Sequence, residues 1–78
     1  MRLDLRTIRL NAKLSEEQLG ARADLSGGMI SRAESGERQL SLEAALRVMH
    51  ALGLTLPEAR AIPELRALRS LDALAVQT

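Results

Sequence analysis

The side chains that this chain lacks limit the chemistry open to it. There is no cysteine, and His50 is the only histidine, so neither a thiolate nor a multi-histidine metal site has enough ligands. No nucleophile–base pair and no glycine-rich phosphate loop after a strand can be recognised. We therefore expect no catalytic site, no metal site and no cofactor. The remaining chemistry is hydrogen bonding and charge, carried by arginines, serines and carboxylates.

Such side chains are concentrated in residues 14–36. Ser15 and Gln18 have the spacing of a capping box, in which each side chain accepts from the backbone N–H of the other residue. The helix that begins at this capping box is expected to be interrupted at residues 24–26, where Ser26 is placed to cap a second helix. Two short helices with so tight a turn need flanking helices to complete a core. The residues expected to face inward around the second helix are Leu25, Ile30 and Ala33.

The spacing of residues over about positions 5–56 resembles the helix-turn-helix domain of the lambdoid phage repressors and Cro, which also occurs in bacterial regulators and antitoxins. The residues that match are Arg9, Leu14-Ser15, Leu19-Gly20, Leu25-Ser26, Ile30-Ser31, Glu34-Ser35-Gly36, Ser41-Leu42-Glu43 and Ala51-Leu52-Gly53. The resemblance implies an all-α, lambda-repressor-like fold of five or six helices. It also implies that the second helix of the motif enters the major groove of double-stranded DNA.

Four residues are expected to face the base edges: Gly27, Gly28, Met29 and Arg32. A guanidinium can donate to both O6 and N7 of guanine, so Arg32 is the main candidate. The alternative is that Arg32 is solvated or contacts a phosphate. The two glycines stand where the family often has base-reading polar side chains. If they face DNA, DNA shape and a contact between Met29 and a thymine methyl carry more of the specificity.

Five residues are expected to form a phosphate-facing rim: Ser15, Glu16, Ser26, Ser31 and Arg38. The family often has glutamine where this chain has Glu16. A carboxylate repels phosphate, so either Glu16 turns aside or the site binds DNA less tightly. For Ser15 and Ser26, capping alone is the simpler interpretation. The resemblance further implies a partly buried structural ion pair between Arg9 and Glu34.

The other helices are predicted from periodicity and capping residues. Helix 1 is expected to run from Leu3 to Ala12. The recognition helix is expected to end at Gly36, and a further helix to begin after Ser41 and end at Gly53. Residues 55–58 have a helix N-terminal pattern, with a short strand over residues 52–56 as the alternative. In helix 1, Leu5, Ile8 and Ala12 are expected to face inward, and Arg2, Arg6 and Lys13 outward.

The segment 63–78 is interpreted as a helical extension that follows a DNA-binding domain formed by residues 1–62. Its apolar stripe is predicted to be a dimer or partner interface, because contiguous exposed leucines usually mark an interface. If these leucines belong to the core instead, the interface is expected around residues 54–61. The stripe consists of Leu65, Leu68, Leu71 and Leu74.

Composition restricts the partners. The 78-residue chain has no aromatic residue, which argues against single-strand binding by base stacking, and a net charge of only +1. No window is apolar enough to span a membrane and no signal peptide is recognised, so we expect a cytoplasmic, nucleoid-associated protein of a bacterium or phage.

The function predicted is that of a homodimeric transcription regulator, most simply a repressor, on a palindromic operator with half-sites about 34 Å apart. The main alternative is the antitoxin of a toxin–antitoxin pair, which holds its toxin and autoregulates the operon. A scaffold that has lost DNA binding is the third possibility.

Overall fold

The structure is a computed structural model that describes residues 3–71. Residues 5–68 form five α-helices followed by one 3₁₀ helix, and no residue of the described range is in a strand. The predicted all-α fold is therefore confirmed, and residues 56–60 are helical rather than extended. The elements are α1 (Leu5–Asn11), α2 (Glu16–Arg22), α3 (Gly27–Ser35), α4 (Leu42–Ala51), α5 (Leu56–Arg60) and the 3₁₀ helix (Pro63–Leu68).

Side-chain caps fix where α2 to α5 begin. The capping box of Ser15 and Gln18 is present, as is a second one formed by Thr55 and Glu58. Ser26 and Ser41 accept from the backbone N–H groups of Met29 and Ala44, as predicted. Hydrogen bonds from the backbone N–H and the hydroxyl of Thr55 lower the pKa of Glu58. The contribution of this box is therefore present above the usual carboxyl pKa and is lost as the pH falls through the lowered value.

The turn between α2 and α3 is compact because the chain passes directly over Gly20. A Cβ at this position would lie 2.7 Å from the carbonyl oxygen of Leu25, so only glycine fits. The turn itself passes through Asp24, whose φ of 58° is one that aspartate tolerates better than most residues. This turn fixes the angle at which α3 leaves α2.

One hydrophobic core joins all six elements. Leu5, Leu19 and Ile30 contribute from α1, α2 and α3, and all three are fully buried. Ala45 and Val48 contribute from α4. The remaining buried apolar residues are Leu14, Ala23, Ala33, Leu40, Ala44, Met49, Ala59, Ile62, Leu65 and Leu68. The core thus extends from the N-terminal helix to the end of the 3₁₀ helix.

The prediction of an exposed interface is wrong for two of the C-terminal leucines. Leu65 and Leu68 are fully buried, packed in the same core as the helix-turn-helix. The 3₁₀ helix packs against α4, α5 and α1, so a boundary at residue 62 does not separate two packing units. Leu65 and Leu68 do share an apolar face, as the periodicity predicts, but the chain's own helices cover them. Leu71 is half-buried, and Leu74 lies outside the described residues.

The first helix is shorter than predicted. It begins at Leu5 because Asp4 is its N-cap and accepts from the backbone N–H of Thr7. Ala12 was expected to face inward but is exposed, since the helix has already ended and the chain turns away at Lys13 with a φ of 61°. Arg9 occupies the buried position instead.

Candidate nucleic-acid interface

The α3 helix divides into a buried face and an exposed face. Ile30 and Ala33 are buried in the core, whereas Gly28, Ser31 and Arg32 are exposed. The exposed residues recur at intervals of three and four positions, so they lie along one side of the helix. Gly27 and Met29 are half-buried, and Met29 packs against the core. Of the four predicted base-facing residues, only Gly28 and Arg32 are therefore fully on the open side.

An ion pair between Arg9 and Glu34 joins the C-terminal half of α3 to α1. The Arg9 Nε lies 2.6 Å from one carboxylate oxygen of Glu34, and Nη2 lies 3.1 Å from the other. The third guanidinium nitrogen, Nη1, donates to the backbone carbonyl of Leu14 at 2.9 Å. The two side chains are only 8% and 6% exposed. A buried, bidentate pair of this kind restrains α3 against the rest of the domain.

Glu16 contributes to the electrostatic environment of Arg9. The hydrogen bond to Glu34 raises the pKa of Arg9 most. Burial, the next largest effect, lowers it, and the negative charges of Glu34 and Glu16 raise it by smaller amounts. Glu16 is half-buried, and its negative charge acts on Arg9 within the domain.

The predicted rim residues other than Glu16 are exposed. The hydroxyl oxygens of Ser15 and Ser26 already accept the capping hydrogen bonds, which leaves each hydroxyl proton able to donate. Ser31 is exposed on α3. The backbone N–H of Arg38 donates to the carbonyl of Arg32 at 3.3 Å, which places the loop that carries Arg38 at the C-terminal end of α3.

The two glycines at the start of α3 have different surroundings. A Cβ at residue 27 would lie 2.9 Å from Cγ and 3.1 Å from Cα of Glu17, because α3 begins in close contact with α2. A Cβ at residue 28 would be at ordinary contact distances, 3.7 Å from Nη2 of Arg32 and 3.8 Å from Oγ of Ser26. The close packing against Glu17 therefore explains why residue 27 is glycine, which the sequence did not reveal. No such contact requires glycine at residue 28.

This difference predicts opposite effects of the same substitution. Gly27→Ala is expected to lower the melting temperature, because the new methyl group would force α3 away from the backbone of α2. Gly28→Ala is expected to raise it, since alanine fits and is more favourable in a helix by up to about 1 kcal/mol. Thermal unfolding of the two variants compares them directly. An equal rise for both would show that the close approach to Glu17 is not maintained.

A long-range contact that sequence reasoning missed anchors the N-terminal end of α1. The carboxylate of Glu64 accepts from the backbone N–H of Leu5 at 3.0 Å, across 59 positions of sequence. Nothing in the sequence indicates that a glutamate in the first turn of one helix accepts a hydrogen bond from the backbone of another helix. The capping role of Asp4 could have been recognised, because aspartate is a preferred N-cap residue.

Neither a metal site nor a membrane-spanning helix is found in residues 3–71. No group of histidine, cysteine, aspartate and glutamate side chains in this range has a geometry that could hold a metal ion. None of the described helices is long and apolar enough to cross a membrane.

A comparison with known protein families identifies the family to which the chain belongs. A family model described as Helix-turn-helix matches residues 5–58. The match includes α1 to α4 and the start of α5, and the chain therefore belongs to the Cro/C1-type helix-turn-helix family. It is accordingly a DNA-binding transcription regulator. Searches of curated proteins and of solved structures gave no match.

Proposed function

We propose that the chain is a transcriptional repressor that binds a palindromic operator as a homodimer, with α3 in the major groove. In this arrangement Arg32 donates to a guanine, and Ser15, Ser26, Ser31 and Arg38 contact the flanking phosphates. Two copies related by a two-fold axis would read half-sites about 34 Å apart. Cytoplasmic, nucleoid-associated placement in a bacterium or phage follows from this role and is part of the proposal.

The observation that carries the proposal is the exposed side of α3. Arg32 is exposed and has no ion pair among the described residues, whereas Arg9 is held inside the domain by Glu34. The opposite side of the helix is buried and its C-terminal half is fixed by the buried pair, so the side chains that face outward are presented by a rigid support. A net charge of only +1 makes such placement more important than overall charge.

A dimer contact must use a surface other than Leu65 and Leu68, because both are fully buried. Two half-buried leucines, Leu54 and Leu56, lie in the region 54–61 that was the alternative location. The sedimentation coefficient of the protein, with and without a palindromic duplex, tests the homodimer. A single monomeric species on DNA at one copy per duplex would contradict it.

The antitoxin alternative depended on the same C-terminal stripe. Because two of its leucines are buried in the chain's own core, they are unavailable to a toxin, and no described feature favours this function over repression. Co-purification of the chain with the product of an adjacent reading frame would support the antitoxin function.

Binding to DNA should distinguish the two exposed arginines near α3. Arg32→Ala is expected to weaken binding to the protein's own upstream region by about 1–3 kcal/mol and to relax the preference at one base pair in each half-site. Arg38→Ala is expected to weaken binding to all sequences alike and to reduce the salt dependence by about one phosphate contact. Gel-shift titrations at several stated salt concentrations, on operator and random duplexes, measure both. Equal losses on both duplexes for Arg32→Ala would identify it as a phosphate contact.

A further inference from the structure

At the N-terminal end of α3, the exposed face carries very few side chains. Gly28 has no side chain, and the next exposed position on the same side that bears a long polar side chain is Arg32. Residues four apart in a helix lie one above the other, and long side chains lean toward the helix N-terminus. The guanidinium of Arg32 is therefore expected to lie over residue 28.

The structure places it there. Nη2 of Arg32 would be 3.7 Å from a Cβ at residue 28, which is ordinary van der Waals contact. The space beside Gly28 can thus accept a methyl group without moving the guanidinium, but a longer side chain there would compete with it. Arg32 uses the surface that a side chain at residue 28 would otherwise occupy.

Folding does not require this glycine. Gly27 is needed because α3 approaches Glu17, and Gly36 ends α3 with a φ of 85°, but Gly28 has neither a close neighbour nor a positive φ. Glycine is also less favourable than alanine in a helix, so its presence at residue 28 weakens α3 without a compensating contact inside the domain. This unexplained residue lies directly beside the best candidate for base contact.

We propose that the small size of residue 28 determines specificity, because a side chain longer than a methyl group would block the path along which Arg32 reaches toward the N-terminal end of α3. The DNA that fits this surface has one guanine in each half-site, bound by both O6 and N7 to Arg32, with little side-chain readout of the neighbouring base pairs. The inference rests on the proposed function, since it assumes that α3 enters the major groove. It assigns to residue 28 a positioning role that acts through Arg32.

The test uses the full chain and a palindromic duplex selected by it from a randomised library. Each base pair of one half-site is then changed in turn, and binding is measured at one fixed salt concentration. The unmodified chain is expected to prefer one G·C pair by about tenfold or more, as one bidentate contact provides. Gly28→Ala should keep that preference, and Gly28→Leu should reduce it to about twofold or less while binding to random DNA is retained. Thermal melting shows that both variants are folded.

A double variant identifies the route of the effect. In the Arg32→Ala background, Gly28→Leu is expected to cause no further loss of preference at that base pair, because the arginine on which it acts is absent. A preference that survives in Gly28→Leu, or one that is already lost in Gly28→Ala, overturns the inference. Uniform weakening on all duplexes, in both backgrounds, also overturns it, because Gly28 would then serve close approach of the backbone to DNA. If the unmodified chain selects no sequence at all, it is the proposed function that fails.

Discussion

Glu34→Ala is expected to lower the free energy of unfolding by about 3–5 kcal/mol, because it leaves the guanidinium of Arg9 buried without its carboxylate partner. The loss is large because both side chains are more than nine-tenths buried and are joined by two hydrogen bonds. Urea unfolding monitored by the helical circular dichroism signal measures it. The midpoint of the unfolding transition should move to a lower urea concentration, while the slope of the unfolding free energy against urea concentration should stay unchanged.

The chain contains a matched control for this experiment. Arg47 and Glu43 form an ion pair of similar length, 2.7 Å, but the two side chains are 42% and 75% exposed. Glu43→Ala is therefore expected to cost only a few tenths of a kcal/mol, as exposed helical pairs usually do. Similar losses for Glu34→Ala and Glu43→Ala would mean that the pair of Arg9 is open to solvent in solution.

Leu68→Ala is expected to destabilise the domain by about 2–5 kcal/mol, the usual effect of truncating a fully buried leucine. Its side chain packs in the core that also contains the helix-turn-helix, so the cavity would affect the whole domain. Leu68→Glu, which also buries a charge, should leave the chain unfolded. Denaturant unfolding and the dispersion of amide resonances measure the two effects.

Leu10→Ala is the control for the second prediction. Leu10 is 53% exposed on α1, and its truncation should change the free energy of unfolding by less than about 0.5 kcal/mol. A Leu68→Ala chain of normal stability that has lost only its self-association would contradict the buried placement. That result would return Leu68 to the interface predicted from the sequence.

Local patterns in the sequence predicted the helix boundaries best. The caps formed by Ser15, Ser26, Ser41 and Thr55 involve partners three positions away, so their residue types and spacing are sufficient. The positive φ of Gly36 was also predictable, because few other residues end a helix in this way. These interactions do not depend on where the rest of the chain lies.

What the sequence could not provide is the identity of distant neighbours. The leucine pattern of the C-terminal segment indicates one apolar face, but the same pattern suits a core, a dimer or a partner. Because α4 and α5 pack against that face, Leu65 and Leu68 belong to the core. Gly27 and Gly28 likewise look equivalent in the sequence, and only the position of Glu17 distinguishes them. The residues that bind DNA remain a prediction, because exposure of α3 does not identify the bases it contacts.

The hydrogen bond from the Leu5 N–H to Glu64 has a consequence for the order of events during synthesis. The N-terminal end of α1 is completed by a residue translated 59 positions later, and the core is closed by Leu65 and Leu68. A nascent chain that has already produced the whole recognition helix thus still lacks the carboxylate that completes α1 and two of the fully buried leucines of the core. Such a chain cannot fold cooperatively until the 3₁₀ helix has left the ribosome, so competence for DNA binding should arise only after synthesis of the domain is almost complete.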